Sequence, residues 1–265
     1  MLRGLYTAAT GMKAQELMID NTANNLANVN TNGFKRSQVD FADLLYTTLQ
    51  QAGTSAAAGQ TTPTGLQVGS GVRPVGTTKI FSNGSMNQTD NQLDVAIEGD
   101  GFLKVVLPSG EERYTRAGAL RLNETGQIVT GDGFPLVEGI TIPDGTALNQ
   151  LSIGIDGTVS GVTSQAQDSP TSFGNIQLYR FPNPAGLSSL GNNLYAATGA
   201  SGAEVAGTPG QNGLGALRQG FLEGSNVQVV TELISLIGAQ RAYEINSRAI
   251  RAGDELLSTA VEIIR

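Results

Sequence analysis

Four carboxylates fall within eleven residues at Asp90, Asp94, Glu98 and Asp100, and paired carboxylates can act as the acid and base of glycoside hydrolysis. The stretch that carries the last three, LDVAIEGDG, also reads as a strand with Leu93, Val95 and Ile97 on one face and Asp94, Ala96 and Glu98 on the other. A solvated acidic strand face explains the cluster without a reaction. Other chemistries lack their residues. With no histidine and no cysteine, the commonest general base, the commonest metal ligand, a thiolate metal site and any disulfide are missing. GLQVGSGVRP lacks the G-x-G-x-x-G spacing of a dinucleotide loop, and GIDGT and IPDGT are Asp-Gly turns outside any EF-hand pattern. The expectation is a chain with no catalytic residue, no cofactor, no metal and no small-molecule substrate.

Composition points to architecture. At 265 residues and 39% hydrophobic the chain can bury a core, while 35 glycines and only 15% charged residues favour tight turns and close small-residue contacts. A net charge of −7, with no concentrated Lys/Arg face, argues against nucleic acid as a partner. No apolar run is long enough to span a bilayer, and the first twenty residues lack the apolar core of a signal peptide, so if the chain leaves the cytoplasm a route other than a cleaved signal must carry it.

The two ends differ from the middle. Leu5, Met12, Ile19 and Leu26 recur every seven residues, a narrow helical seam that wants one partner helix. At the other end Val229, Leu236, Tyr243, Ile250, Leu257 and Ile264 repeat with the same period, after an N-cap expected in GSNVQ. The alternate seam positions are mixed, Leu233 and Val261 being apolar but Gln240, Ser247 and Asp254 polar, and alanines such as Ala239 and Ala242 permit close approach. This pattern predicts a helix of about 40 residues, far above the usual 11–12. The fold class expected is α+β, in which long terminal helices form an antiparallel coiled-coil stem and the middle forms a mostly antiparallel β domain.

Within the middle, short apolar alternations are broken by Ser109-Gly110, Thr125-Gly126 and Asp156-Gly157, which read as hairpin turns. GDGF occurs at 99–102 and 131–134, suggesting two related corners. QAGTSAAAGQTT at 51–62 and ATGASGAEVAGTPGQNG at 197–213 read as linkers. The expected division is a helical domain of 1–34 and 225–265, a connecting segment of 35–75 and 196–224 with an extension near 46–63, and a β-rich outer domain of 76–195.

One stretch resists the helical reading. NTANNLANVNTNGF packs six asparagines into fourteen residues, each costing a helix about 0.6 kcal/mol against alanine. Asn21, Asn24, Asn25 and Asn28 stand at i, i+3, i+4 and i+7 and share a face that points away from the Leu26 seam. Amides suit a place where protein groups meet both their donors and their acceptors, so this stripe is expected to meet neighbouring subunits. Asn32-Gly33 is expected to cap the helix in the left-handed conformation, with Phe34 folding back on the last turn.

ANNLANVNTNGFKR resembles the N-terminal signature of bacterial flagellar rod and hook proteins, and EGSNVQVVTELISLIGAQRAYEINSRAI the matching C-terminal signature. LDVAIEGDGFLKVVLPSGEERYTRAGALRLNETGQIVTGDGF is similar to the family's shared β domain, so the resemblance covers nearly the whole chain. Length, and the segment from Tyr46 to Pro63 followed by GLQVGSGVRP, resemble the distal-rod members, with proximal rod and hook-type axial proteins the alternative. The resemblance implies a structural subunit of a hollow helical tube, with terminal helices lining the core and the β domain outside. It also implies proximal rod proteins below, hook protein above, a surrounding L/P ring bushing, and export through the flagellar type III apparatus. On this reading Gly33, Phe34, the asparagine stripe and the two seams serve contacts between subunits. The middle of the chain carries −6 of the net −7, which suits an outer surface that must turn without sticking.

Overall fold

The computed structural model describes residues 2–53, 55–57, 60–61, 63–146, 150–163 and 170–263. The protein is α+β, with an N-terminal helix, a C-terminal helix and a central antiparallel β region, and it divides into two compact units. One comprises 1–26, 37–78 and 228–265; the other comprises 27–36 and 79–227.

In the first unit, α1 spans Leu2–Ala27 and α2 spans Val229–Ile263, 35 residues long. Neither contains proline, and both are rich in Ala and Leu, which lose little side-chain freedom in a helix. The helices touch where side chains are small. A Cβ on Gly11 would lie 2.9 Å from Asn246 Nδ2, and one on Gly253 would lie 2.6 Å from Leu5 Cδ2. Further along, Asn25 Nδ2 donates to Glu232 Oε2 at 3.3 Å. Partners advance on α1 as they retreat on α2, so the helices run antiparallel.

The closest line on α2 is not the expected seam. Glu232, Ala239, Asn246 and Gly253 form it, seven residues apart, with Glu232 and Ala239 fully buried. Leu236, Ile250 and Leu257 flank this line half-buried, whereas Val229 and Tyr243 are exposed and Ile264 lies outside the described residues. Of the alternate seam positions, Leu233, Gln240, Asp254 and Val261 are exposed. On α1, Leu5, Met12, Ile19 and Leu26 are likewise half-buried, and the buried residues are Ala14, Thr22 and Asn25. A seven-residue apolar repeat marks a face but not the line of closest approach. At two crossings a glycine of one helix makes room for a side chain of the other, Gly11 for Asn246 and Gly253 for Leu5, and at a third Asn25 bonds Glu232, so small and polar residues take the centre and the larger apolar residues the flanks.

Strands complete this unit. Ser37–Asp43 pairs with Val72–Lys79, Thr47–Gln50 with Leu66–Val68, and Ser55–Ala57 with Gln60–Thr61. The stretch 51–62, expected as a linker, thus contains a short antiparallel pair. Leu45, Tyr46, Leu49 and Leu66 are left exposed.

Among its described residues the second unit is built mainly of β-strands, with a 3-10 turn at Pro184–Gly186. Its largest sheet runs in the order Ser188–Gly191, Leu194–Ala196, Glu112–Thr115, Leu103–Val106. Two further pairs bring late strands beside early ones: Ala216–Gln219 lies against Val95–Glu98, and Phe221–Glu223 against Met86–Gln88. Val205–Gly207 also pairs with Leu178–Arg180, so strands lie where the sequence suggested a linker at 197–213. The aliphatic core includes Leu103, Val105, Leu120, Ile128, Ile176 and Leu178. Beside it, Phe102, Tyr114, Tyr179, Phe181 and Tyr195 form a second buried cluster with edge-to-face rings.

The three expected hairpin turns are present, with Gly110, Gly126 and Gly157 at φ +83°, +73° and +87°. The GDGF copies differ. Residues 131–134 close a tight turn through Gly133 N to Thr130 O, whereas 99–102 passes through a bend at 99–100 and brings Phe102 to the backbone of Tyr179. Phe102 enters the aromatic cluster and Phe134 packs on the aliphatic core.

Gly118 faces the tightest approach in the β unit: an added Cβ would stand 1.6 Å from the Val95 carbonyl oxygen. Gly118→Ala is therefore expected to lower the unfolding free energy by about 1–3 kcal/mol in urea titration. Gly131→Ala, with open space around it and an ordinary φ, leaves the midpoint in place.

Candidate functional site

Residues flanking the two helices carry the most specific side-chain chemistry in the molecule. In the helical unit the centre is Asn25, 1% exposed. Its Nδ2 donates to Ser37 O and its Oδ1 accepts from Ser37 N, both at 2.9 Å, so the amide pairs with the backbone as a neighbouring strand would. Asn21 Nδ2 donates to the same carbonyl at 2.8 Å, and the remaining bond of Asn25 goes to the buried Glu232. Three elements are thus tied at one amide: α1, the start of the first strand, and α2. Burying an amide is tolerable because every polar atom finds a partner.

This arrangement revises the reading of the asparagine stripe. Asn25 faces into its own chain with Leu26 half-buried beside it, and Asn21 is engaged within the chain too. Asn24 is exposed, and Asn28 accepts from Thr31 Oγ1 at 3.1 Å. The helix ends at Ala27, and Asn32-Gly33 lies in the turns beyond it. In the β unit Asn226, in the expected N-cap motif, accepts from Arg36 N at 2.8 Å and donates to Ile80 O at 2.8 Å.

The β unit holds a buried ionic cluster between the segments that leave α1 and enter α2. Gly33, at φ +73°, donates from its N to Glu223 O at 2.8 Å, and a Cβ there would meet Ala117 N at 2.8 Å. Only glycine satisfies both the turn and the close approach. Phe34 is buried, with Lys79 Nζ 4.5 Å from its ring centroid. The next residue, Lys35, is fully buried; its Nζ donates to Glu223 Oε1 at 2.6 Å and to Ser82 O at 2.7 Å. From the other side Arg116 Nη1 approaches Glu223 at 3.3 Å, while its Nε and Nη2 donate to Gly101 O and Gly99 O at 3.0 and 2.6 Å. Gly84 N adds a bond to Glu223 Oε1 at 3.0 Å.

Two buried cations therefore share one carboxylate. Burial first, and the Arg116 guanidinium second, push the Lys35 ammonium down to about 8, against a pull upward from Glu223. Sequence reasoning does not single out Lys35, Arg116 and Glu223, because it treats charges as solvated. The available signal is the run GFKR, where a lysine directly follows a buried aromatic and a left-handed glycine.

The acidic group at 90–100 is arranged differently from its expected face. Asp94 and Ala96 are buried along with Val95 and Ile97, because the strand Val95–Glu98 is covered on both sides. Asp94 accepts from Asn91 Nδ2 at 2.8 Å and meets Arg121 at 3.3 Å; Glu98 is exposed and pairs with Arg218 at 3.4 Å. Asp90 and Asp100 are exposed. These are ion pairs and solvated groups along a sheet margin.

The buried cluster makes stability depend on pH. Unfolded Lys35 keeps its proton to an ordinary lysine's 10.5, whereas the folded residue loses it near 8. Between pH 8 and 10 the unfolded chain therefore binds more protons, and stability rises with pH. Lys79, lowered by burial, acts in the same direction, while above pH 10 Tyr195, pushed up to about 12 by burial, opposes it. The urea midpoint is expected to climb from pH 8 to 10, and Lys35→Met to reduce that climb. At pH 7, Glu223→Ala strands two buried cations and is expected to cost about 3–5 kcal/mol.

Three family descriptions match the chain in succession: "Flagella basal body rod protein" over 5–35, "Flagellar hook protein FlgE/F/G D1 domain" over 96–161, and "Flagellar basal body rod FlgEFG protein C-terminal" over 218–263. Each contributes one member of the buried cluster: Lys35, Arg116 and Glu223. Among similar proteins is the flagellar basal-body rod protein FlgG of Buchnera aphidicola subsp. Schizaphis graminum, 49% identical over 97% of this chain and 98% of its own. The same-named proteins of Borreliella burgdorferi and Caulobacter vibrioides are 46% and 44% identical, covering 100% and 99% of both chains. With identity at this level over essentially its whole length, and all three family segments joined at one buried ion cluster, the chain belongs to the flagellar basal-body rod protein family.

Proposed function

We propose that this chain is a structural subunit of the flagellar distal rod, polymerising into a hollow helical shaft that transmits torque from motor to hook and encloses part of the export channel. The observation that carries the assembly is the outer side of α2. Val230, Ile234 and Ile237 are 70%, 66% and 48% exposed, on the side opposite the Glu232–Ala239–Asn246–Gly253 line, and Ile245, 65% exposed, lies on its flank. A helix of 35 residues that is apolar on two opposite sides has more apolar surface than one partner helix covers. Neighbouring copies supply the rest. Where the outer side of one copy meets a different surface of the next, the contact is heterologous, and it winds into an open helix when the rotation between copies does not close.

Within each subunit, α1 and α2 act as an antiparallel coiled-coil stem. Between subunits, the exposed Asn24, the outer side of α2, and the exposed apolar side chains at 45–68 make the lateral contacts. Proximal rod proteins lie below, hook protein above, and the L/P rings around; delivery is by the flagellar type III apparatus to the periplasm-spanning rod. The work is mechanical: a shaft resists twist through multiplied contacts, without turnover.

Negative-stain microscopy of concentrated protein tests this reading. Tubes or filaments are expected from the wild-type chain, and compact particles of fixed size from Ile234→Glu/Ile237→Glu. Asn24→Ala is expected to weaken assembly while leaving the melting of the β unit unchanged. In hydrogen exchange, residues 229–263 should gain protection on assembly, and full protection of that helix already in the monomer would contradict the proposal.

A further inference from the structure

The β unit carries a pocket that none of the contacts above explains. It measures about 340 Å³ and is lined by Phe81, Phe102, Phe181 and Pro182, with Arg116 and Arg180 among its polar residues. Arg116 is committed to Glu223 and two backbone carbonyls, whereas Arg180 is exposed. Asp100 also borders the pocket, on the exposed link before Phe102. Aromatic walls with an accessible guanidinium suit an aliphatic side chain accompanied by a carboxylate.

The same unit presents a projection of that description. Ile155 is 69% exposed, more than any other large apolar side chain among the described residues of this unit. It stands in the turn Gly154–Gly157, closed by Gly157 N to Gly154 O at 3.0 Å, where turn chemistry ordinarily places Gly, Asn, Asp or Pro. Its backbone is fixed, because Ile155 O accepts from Leu217 N at 3.2 Å. The neighbouring Asp156 accepts from Thr158 N and Thr158 Oγ1 at 3.2 and 2.9 Å, and these bonds hold its carboxyl below the usual range. An apolar tip with a held negative charge beside it is thus preorganised.

The other exposed apolar residues of the unit fit less well. Leu190 lies between Ser189 and Gly191 with no acid next to it, and Val205 adjoins Glu204, which is engaged by Lys104 and Tyr114. We propose that Ile155 of one copy seats in the Phe81–Phe102–Phe181 pocket of a second copy of this chain, with Asp156 against Arg180. Knob and pocket are different surfaces of one chain, so every copy both donates and accepts, and the contact extends as an open array when the rotation between copies does not close. This contact deepens, and rests on, the reading of the chain as a polymer-forming rod subunit.

The chain has no cysteine, so an introduced pair provides its only thiols. Ile155→Cys/Pro184→Cys protein is allowed to assemble, oxidised, and run on a non-reducing gel. A ladder of covalent multimers is expected from assembled material, absent from dilute monomer and from either single-cysteine variant. Assembled protein that stays monomeric on the gel, with both thiols oxidised or freely alkylated, overturns the contact. As a second measurement, Ile155→Lys should raise the concentration needed for assembly about tenfold without moving the thermal melt, and Ile155→Leu should preserve assembly; unaltered assembly of the lysine variant overturns the contact. Wild-type protein that never assembles defeats the rod-subunit reading and this contact with it, whereas normal tubes without the cross-link defeat this contact alone.

Discussion

The carboxylate of Glu223 is the constraint on which the β unit turns. It is buried, bonded to Lys35 and Gly84, and approached by Arg116, so it fastens the segment after α1, the segment before α2 and the middle of the chain at one point. Removing two cations and a carboxylate from water is costly, and the cost is offset only while all three are present and bonded. Such a cluster contributes little net stability compared with an apolar core. What it supplies is uniqueness: a mispaired strand or a displaced segment would leave a bare charge inside the protein.

The helical unit uses the same device without charge at its centre. Asn25 pairs with the backbone of Ser37 as a strand would, and Glu232 accepts its remaining bond. Small residues then allow close approach where Gly11 meets Asn246 and Gly253 meets Leu5. Because Glu232, Ala239, Asn246 and Gly253 hold the inner line, the larger apolar residues of α2 are distributed to its flanks and its outer side, as Val230, Ile234 and Ile245 show. A helix pair built this way leaves apolar surface of α2 exposed while its own register is fixed by amides.

Much of this architecture is legible in the residue pattern alone. The α+β class, the two long terminal helices, the antiparallel pairs of the middle and the turns at Gly110, Gly126 and Gly157 follow from periodicity and turn chemistry, and the GFKR and EGSNVQ motifs carry the family. The functional joint is less legible. By spacing, Asn25 is one of four equivalent amides on an outward face, yet it is buried within its own chain while Asn24, one position before it, is exposed. Likewise Asp94 and Ala96 alternate in sequence with the core residues of their strand but are covered as fully as they are. Period alone tells which residues share a face; it does not tell how many faces are covered.

By itself, then, the sequence determined local geometry and kinship. Seven-residue repeats dictate long helices, glycines dictate where the chain turns, and the absence of histidine and cysteine removes whole classes of chemistry, because each depends only on residues near one another or on composition. Only the tertiary structure decided that Lys35, Arg116 and Glu223 share one buried site, and that the line of Glu232, Ala239, Asn246 and Gly253 lies closest to α1. Those outcomes join residues far apart in the chain. They are settled by which combination of approaches leaves no buried charge or amide without a partner, a condition that no single segment can express.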